Sequence, residues 1–176
     1  MDPASLSQPG LERTDTAVKA LMIVFLAFFA TQARAQSEVP LSVVYPVISS
    51  LLTSGFGQRI HPIRKHPGQH NGVDIAAKTG DPVLSVYFGK VVFTGTSGGL
   101  GRTVVIAHIN GLTSHYAHLS KIEADVGQVL RPGDMIGRVG DSGESTGPHL
   151  HFEIRRYGEP LDPAWLLPRL DTRALG

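Results

Sequence analysis

The most regular alternation of polar and apolar residues in the chain lies at 149–154, His-Leu-His-Phe-Glu-Ile. Successive side chains of an extended strand point to opposite faces. The pattern therefore predicts a strand with two histidines and Glu153 on one face and three large apolar side chains on the other. Burial of the apolar face leaves His149 and His151 side by side, as a metal or catalytic site or as a polar surface strand.

Short apolar segments separated by turn residues continue this pattern over much of the chain. Strands are predicted at 83–87, 90–94, 103–109 and 112–119. Asn110-Gly111, between the last two, is a strong hairpin signal. Asp162 followed by Pro163 predicts a short closing helix, because aspartate caps a helix and proline suits its first position. We therefore predict one mainly antiparallel, all-β domain with a short C-terminal helix.

The N-terminal part of the chain differs from the rest. Residues 20–30 form an unbroken apolar run that follows Lys19, and Ala33-Arg34-Ala35 has the small-x-small form of a signal-peptidase site. The run is shorter than the roughly 20 apolar residues that a membrane span needs. We expect an exported protein, in the periplasm or at the cell wall, that touches the membrane only through this segment. The predicted organisation is a signal peptide at 1–35, with the true start left open, a lead-in segment at 36–53, a domain at 54–170 and a tail at 171–176.

Composition narrows the possible chemistry. The formal net charge is +1, so nothing points to nucleic acid as a partner. Cysteine is absent, which excludes thiolate nucleophiles, cysteine-ligated zinc and disulfides. The chain has eight histidines, all after residue 60, so histidine and carboxylate side chains are the candidates for a reactive site.

A metal site is predicted from three of these side chains. His70 and Asp74 are four residues apart, which keeps them on one face of a strand or a helix. With His151 they provide two imidazoles and one carboxylate, a set that leaves an open position on a tetrahedral zinc. Zinc there would lower the pKa of a bound water to roughly 7. Non-haem iron uses the same donor types and is the alternative metal.

Two further histidines are predicted to be catalytic. Alternation along 112–119 places Tyr116 and His118 on one face and His115 on the other, so His118 is expected to meet His149 across a groove, and His115 is expected to lie outside the site. A neutral imidazole accepts a proton from water, and an imidazolium stabilises an oxyanion or protonates a leaving amine. The pair suits peptide-bond hydrolysis, and the sequence leaves open which histidine takes the proton.

Four motifs occur in one order along the chain. They are Ser-Gly-Phe-Gly-x-Arg at 54–59, His-x-x-x-Asp at 70–74, Tyr-Ala-His-Leu at 116–119 and Thr-Gly-Pro-His-Leu-His-Phe-Glu at 146–153. In this order they make the chain, from about Ser54 to Leu167, resemble the lysostaphin-type (LytM-domain) zinc metallopeptidases.

The resemblance implies a small antiparallel β-groove domain with one Zn²⁺ per chain. It implies zinc ligation by His70, Asp74 and His151, and catalytic roles for His118 and His149. The implied activity is hydrolysis of peptide crosslinks in bacterial peptidoglycan by a zinc-bound water or hydroxide, and we expect a monomer. The alternative is a catalytically weak scaffold that binds cell wall or activates amidases, since some relatives have lost zinc ligands. All three ligand types are present here, which argues against it.

Several neighbouring residues have less specific interpretations. Residues 60–69 are predicted to form an exposed loop of the kind that lines binding grooves. Arg59 is interpreted as a structural anchor rather than a substrate clamp. Glu153 either orients a histidine or pairs with an arginine. His108 has two open interpretations, burial in the fold or a place in the groove wall.

Overall fold

A computed structural model describes residues 42–49, 51–60, 63 and 65–167. The predicted signal peptide and tail and part of the predicted lead-in segment lie outside the described residues. Within the part of the chain that is described, no helix has the length and hydrophobicity that a membrane crossing requires.

The described residues form short strands that pair antiparallel throughout. The strands are β1 (Leu52–Ser54), β2 (Gly57–Ile60), β3 (Pro67–His70), β4 (Val73–Ala76), β5 (Pro82–Leu84), β6 (Gly89–Thr96), β7 (Arg102–Ala107), β8 (Leu112–Ala117), β9 (Lys121–Ile122), β10 (Val129–Leu130), β11 (Met135–Arg138), β12 (His149–Arg156) and β13 (Glu159–Leu161). The prediction of a mainly antiparallel, all-β fold is confirmed.

Helical structure in the described part of the chain is limited to three short 3₁₀ turns, at Gly98–Leu100, Ile109–Gly111 and Pro163–Trp165. The last of them stands where the closing helix is predicted. Its cap is the expected one, because the amide of Ala164 donates a 2.9 Å hydrogen bond to the carboxylate of Asp162.

The main sheet has the strand order β1-β4-β12-β8-β7-β6-β10, with β13 paired to β12. A second sheet contains β5, β11 and β9, and β2 and β3 form a separate hairpin. The strands of this hairpin take up Ile60 and residues 67–69 of the loop predicted at 60–69, and the described residues of that segment are exposed except for half-buried Gly68. In the main sheet, β12 lies between β4 and β8, and residues far apart in sequence become neighbours there.

The apolar face of β12 belongs to one continuous core. Leu150, Phe152 and Ile154 are each at most 2% exposed and pack in a cluster that also contains Val83 of β5 and Ile136 of β11. The core is therefore shared by the main sheet and the second sheet. The face assignment predicted for β12 is confirmed, because its histidines and Glu153 lie on the side away from this core and line a cleft.

The face assignment predicted for 112–119 is wrong. Tyr116 is fully buried in the core, with its ring 5.3 Å from that of Phe152, whereas the ring of His118 lies 4.8 Å from that of His149 on the opposite side of the sheet. The reason is that β8 ends at Ala117 and His118 has a left-handed backbone, with φ of 59°. This conformation interrupts the alternation and turns His118 into the cleft.

The face predicted for His115 is also wrong. It lies opposite Glu153 in the β8–β12 register, and therefore on the cleft side of the sheet.

Candidate metal centre

Three side chains from three strands converge on one point. His70 ends β3, Asp74 lies in β4 and His151 in β12. Asp74 Oδ1 is 2.8 Å from His151 Nδ1 and 3.2 Å from His70 Nε2, and the two histidine nitrogens are 3.1 Å apart. All three residues are buried, and one donor atom from each lies within 4.8 Å of the others, so the group could hold a metal ion.

Backbone packing explains why these donors meet. Asp74 is opposite His151 in the β4–β12 register. Just before β4, Gly72 approaches β12 so closely that a Cβ atom there would lie 2.3 Å from the carbonyl oxygen of Phe152. Only glycine permits this approach without displacement, and the approach holds the beginning of β4 against the strand that carries His151.

Hydrogen bonds on the outer side of each histidine select the atoms that face one another. His70 Nδ1 donates to the carbonyl oxygen of Gly55 at 2.6 Å, which leaves Nε2 as the inward acceptor. His151 Nε2 lies 3.0 Å from Glu153 Oε1, and a carboxylate accepts, which leaves Nδ1 as the inward atom. Two nitrogens and Asp74 Oδ1 then form a cluster of acceptors. Such a cluster repels itself unless a proton or a cation lies among them, so the donor set fits a metal ion.

Electrostatics agree with this description. Burial alone would raise the pKa of Asp74, but its contacts with His149, His151 and His70 outweigh burial and hold that pKa well below its usual range. Burial would lower the pKa of His151, but its bonds to Asp74 and Glu153 raise it to about 9. The cluster therefore favours one positive charge at its centre, which a metal cation would supply in place of the proton.

Glu153 fulfils both of the interpretations that its sequence position allowed. It is 2% exposed, and one carboxylate oxygen accepts from His151 while the other accepts from Arg155 Nε at 2.7 Å and Nη2 at 2.6 Å. Burial would raise the pKa of Glu153, but the bonds from His151 and Arg155 outweigh it and lower that pKa. The ionised carboxylate thus fixes the orientation of His151 through its outer nitrogen.

His118 and His149 stand beside the three donors with a common geometry. His118 Nδ1 donates to the carbonyl oxygen of Ser142 at 2.7 Å, and His149 Nδ1 donates to that of Gly147 at 2.8 Å. Each ring therefore presents Nε2 as its remaining nitrogen, and His149 Nε2 is 3.5 Å from Asp74 Oδ1. The structure brings together all five residues that the sequence nominated for the site.

The two rings differ in charge preference. Burial lowers the pKa of His118. Burial acts on His149 in the same direction, but its hydrogen bonds to Asp74 and to the carbonyl oxygen of Gly147, together with the negative charge of Asp74, outweigh burial and raise the pKa. The pair therefore combines a neutral imidazole with one that holds its proton more readily.

Two half-buried histidines, His108 and His115, do not join the five. His108 bonds to the carbonyl oxygen of Phe88 and to Ser114 Oγ, both at 2.8 Å, which supports its burial in the fold rather than a place in the groove wall. His115 lies beside Glu153, and burial lowers its pKa to about 4. Strict alternation counted back from His118 predicts the opposite face for His115. That prediction fails because His118 lies beyond the end of β8 and has a left-handed backbone.

A cleft of about 690 Å³ lies over the site. Its walls include β1, the β2–β3 hairpin, Gly99-Leu100 and the loop 144–148. Arg59 enters from the hairpin and places Nη2 3.3 Å from Asp74 Oδ2. The outer oxygen of Asp74 is thus held while the inner one faces the histidines.

Comparison with known proteins identifies the domain. Residues 68–163 match the sequence pattern of peptidase family M23. The DD-carboxypeptidase/endopeptidase Mpg of Neisseria meningitidis is 44% identical over 120 residues, which are 68% of this chain and 28% of that protein. The chain thus spans little more than a quarter of the length of this curated relative.

Solved structures show the same fold. A zinc-containing peptidase from Vibrio cholerae aligns with a TM-score of 0.63 and 39% identity, over 67% of this chain and 37% of that one. The catalytic domain of lysostaphin from Staphylococcus simulans aligns with a TM-score of 0.61 and 33% identity, over 66% of this chain and 91% of that domain.

Proposed function

The chain belongs to peptidase family M23, and from this membership we propose that it is a zinc-dependent endopeptidase that hydrolyses peptide crosslinks of bacterial peptidoglycan. The observation that carries the proposal is the convergence of three metal-type donors with two further histidines at the floor of one cleft. The export signal predicted at the N-terminus supports action in the periplasm or cell wall, and we propose a monomer.

The metal would be held by His70 Nε2, Asp74 Oδ1 and His151 Nδ1. Zinc bound there supplies Lewis acidity, which polarises a carbonyl group and lowers the pKa of water to roughly 7. Iron remains the alternative metal for this donor set, and we favour zinc because the additional histidine pair suits hydrolysis.

His118 and His149 would manage the protons. Hydrolysis adds the oxygen of water to the carbonyl carbon, breaks the C–N bond and delivers a proton to the nitrogen. One imidazole Nε2 accepts the proton that water gives up and passes it to the departing amine, and the other donates a hydrogen bond to the carbonyl oxygen as negative charge develops on it. The carbonyl groups of Ser142 and Gly147 keep both rings in the required orientation.

We further propose that the bond cleaved joins two D-configured residues. The relative Mpg, 44% identical, is named a DD-carboxypeptidase/endopeptidase. The lysostaphin domain is less similar to this chain, at 33% identity, so we base the proposed substrate on Mpg. A D-alanyl–diaminopimelate crosslink is the expected substrate.

The test is digestion of purified sacculi by the full-length protein, with metal analysis of the protein and mass spectrometry of the released fragments. We expect bound zinc, release of monomeric stem peptides from DD crosslinks, loss of release with a chelator and recovery on addition of zinc. Iron-dependent release without zinc would favour the alternative metal.

Two variants separate the proposed roles. His149→Ala should keep zinc and lose about 10²- to 10⁴-fold in rate, the usual contribution of acid–base catalysis. His151→Ala should lose both zinc and cleavage. Normal cleavage by His149→Ala would refute its role, and a folded wild-type protein without zinc or cleavage would favour the non-catalytic scaffold.

A further inference from the structure

We propose that Arg59 binds the free α-carboxylate that follows the scissile bond, and so makes the site specific for DD-linked substrates. This inference rests on the proposed function, and it adds to the anchoring of Asp74 a role in substrate recognition. The observations are the position of the guanidinium, its exposure, and the charges of the cleft around it.

The guanidinium stands at the edge of the metal site. Its Nη2 is 3.3 Å from Asp74 Oδ2, and its side chain is 30% exposed, against 12% for that of Asp74. Asp74 is its only ion-pair partner among the described residues. A guanidinium has several N–H donors in a planar fork, and the contact with Asp74 uses one terminal nitrogen. No described residue accepts from its other nitrogens, and the side chain lines the cleft.

The charges that line the cleft make this position distinctive. Among the described residues that line the cleft, Arg59 is the only lysine or arginine, and three carboxylates, those of Asp74, Glu144 and Glu153, also line it. None of these three carboxylates can serve as the binding partner of a substrate carboxylate, because groups of like charge do not attract. Apart from the histidines and the proposed metal, Arg59 is therefore the group among the described lining residues that can bind this carboxylate.

The chemistry of a DD bond supplies such a carboxylate at a suitable distance. The residue on the amine side is D-configured and keeps its own α-carboxylate, whether it is a terminal residue or the D-centre of a crosslinked diamino acid. One residue separates this carboxylate from the scissile carbonyl, a span of at most about 3.6 Å. A guanidinium fork matches a carboxylate with two parallel hydrogen bonds. A bond inside a glycine bridge has no carboxylate in this position.

The experiment compares two synthetic crosslinked peptides that differ only in this group, α-carboxylate in one and α-carboxamide in the other. The full-length zinc-loaded protein should prefer the carboxylate by about 10- to 100-fold in kcat/KM, the range for a hydrogen bond to a charged group. The difference should lie mainly in KM. Arg59→Gln should reduce the preference to about twofold or less, and Arg59→Lys, which keeps the charge without the fork, should give an intermediate value.

The preference is a ratio measured on one preparation, so partial loss of zinc in a variant cancels from it. If Arg59 only anchors Asp74, Arg59→Gln will slow both substrates equally and leave the ratio unchanged, and that result would overturn the inference. Arg131→Gln, at an exposed turn away from the cleft, is the matched control and should keep the wild-type ratio. Equal cleavage of both peptides by the wild type overturns the inference alone, whereas cleavage of neither overturns the proposed function.

Discussion

At the scale of single residues, Glu153 connects the candidate metal centre to the Arg155 guanidinium outside it. Its two oxygens accept from His151 and from Arg155; the contact with His151 is buried and the contact with Arg155 is partly buried. A glutamine has one acceptor oxygen, so it cannot serve both donors. We expect Glu153→Gln to weaken zinc binding by about 10- to 100-fold, the usual effect of losing such a partner, measured by competition with a chromophoric chelator.

Glu159→Gln is the matched control for this prediction. Glu159 is exposed on β13, two strands from Asp74 and paired with β12. Its substitution should leave zinc affinity at the wild-type value. Wild-type affinity in Glu153→Gln itself would mean that the orientation of His151 depends on other contacts.

The residue scale also shows what the sequence could predict. The sequence indicates the donor set His70, Asp74 and His151 because few other side chain types ligate zinc. The structure brings one donor atom from each of them close together. The direction of His118 was not predictable from alternation, because a non-glycine residue with positive φ is uncommon and no local signal announces it. The motif that contains His118 correctly indicates it as a site residue, whereas strand periodicity predicts the wrong faces for His115 and Tyr116.

At the scale of elements, the contact between β4 and β12 supports the site. A Cβ atom on Gly72 would lie 2.3 Å from the carbonyl oxygen of Phe152 and 2.8 Å from Glu153 Cγ. Gly72→Ala must therefore push β4 away from β12 and separate Asp74 from His151. We expect the free energy of unfolding to fall by about 1–3 kcal/mol, the typical cost of overpacking, together with weaker zinc binding, measured by urea denaturation and zinc titration.

Gly68→Ala tests whether replacing any glycine with alanine lowers stability and zinc binding as predicted for Gly72→Ala. Gly68 lies in the β2–β3 hairpin, where an added Cβ atom would meet nothing within 4 Å. Its stability should stay within about 0.5 kcal/mol of the wild type, as for an ordinary surface substitution. Equal losses in both variants would contradict the close approach as the cause.

Local chemistry explains which elements were predictable. Asn110 and Gly111 both adopt positive φ, at 56° and 69°, so the Asn-Gly pair correctly marked the turn between β7 and β8. The pairing of β4 with β12 joins residues 77 positions apart. No local pattern carries that information, so periodicity alone did not order the strands in the sheet.

At the scale of the whole molecule, the core and the candidate metal centre occupy opposite faces of β12. The shared core contains Leu150, Phe152 and Ile154, and none of the three proposed ligands belongs to it. Removal of the metal with EDTA should therefore leave the protein folded, with an unchanged far-UV circular dichroism spectrum. The melting temperature should fall, because zinc binds only the folded state.

The same measurement on His151→Ala provides the comparison. Since this variant lacks a ligand, EDTA should not shift its melting temperature. Loss of the cooperative transition in metal-free wild-type protein would show that the metal holds the fold itself.

Because β12 lies between β4 and β8, the donor set can be completed only late in synthesis of the chain. During synthesis, Asp74 leaves the ribosome 77 residues before His151. A growing chain thus carries only part of the donor set until β12 has been made and has entered the middle of the sheet. For a peptidase, completion of the fold would then be the activating step, and an unfinished chain would be inert while it is being made and moved.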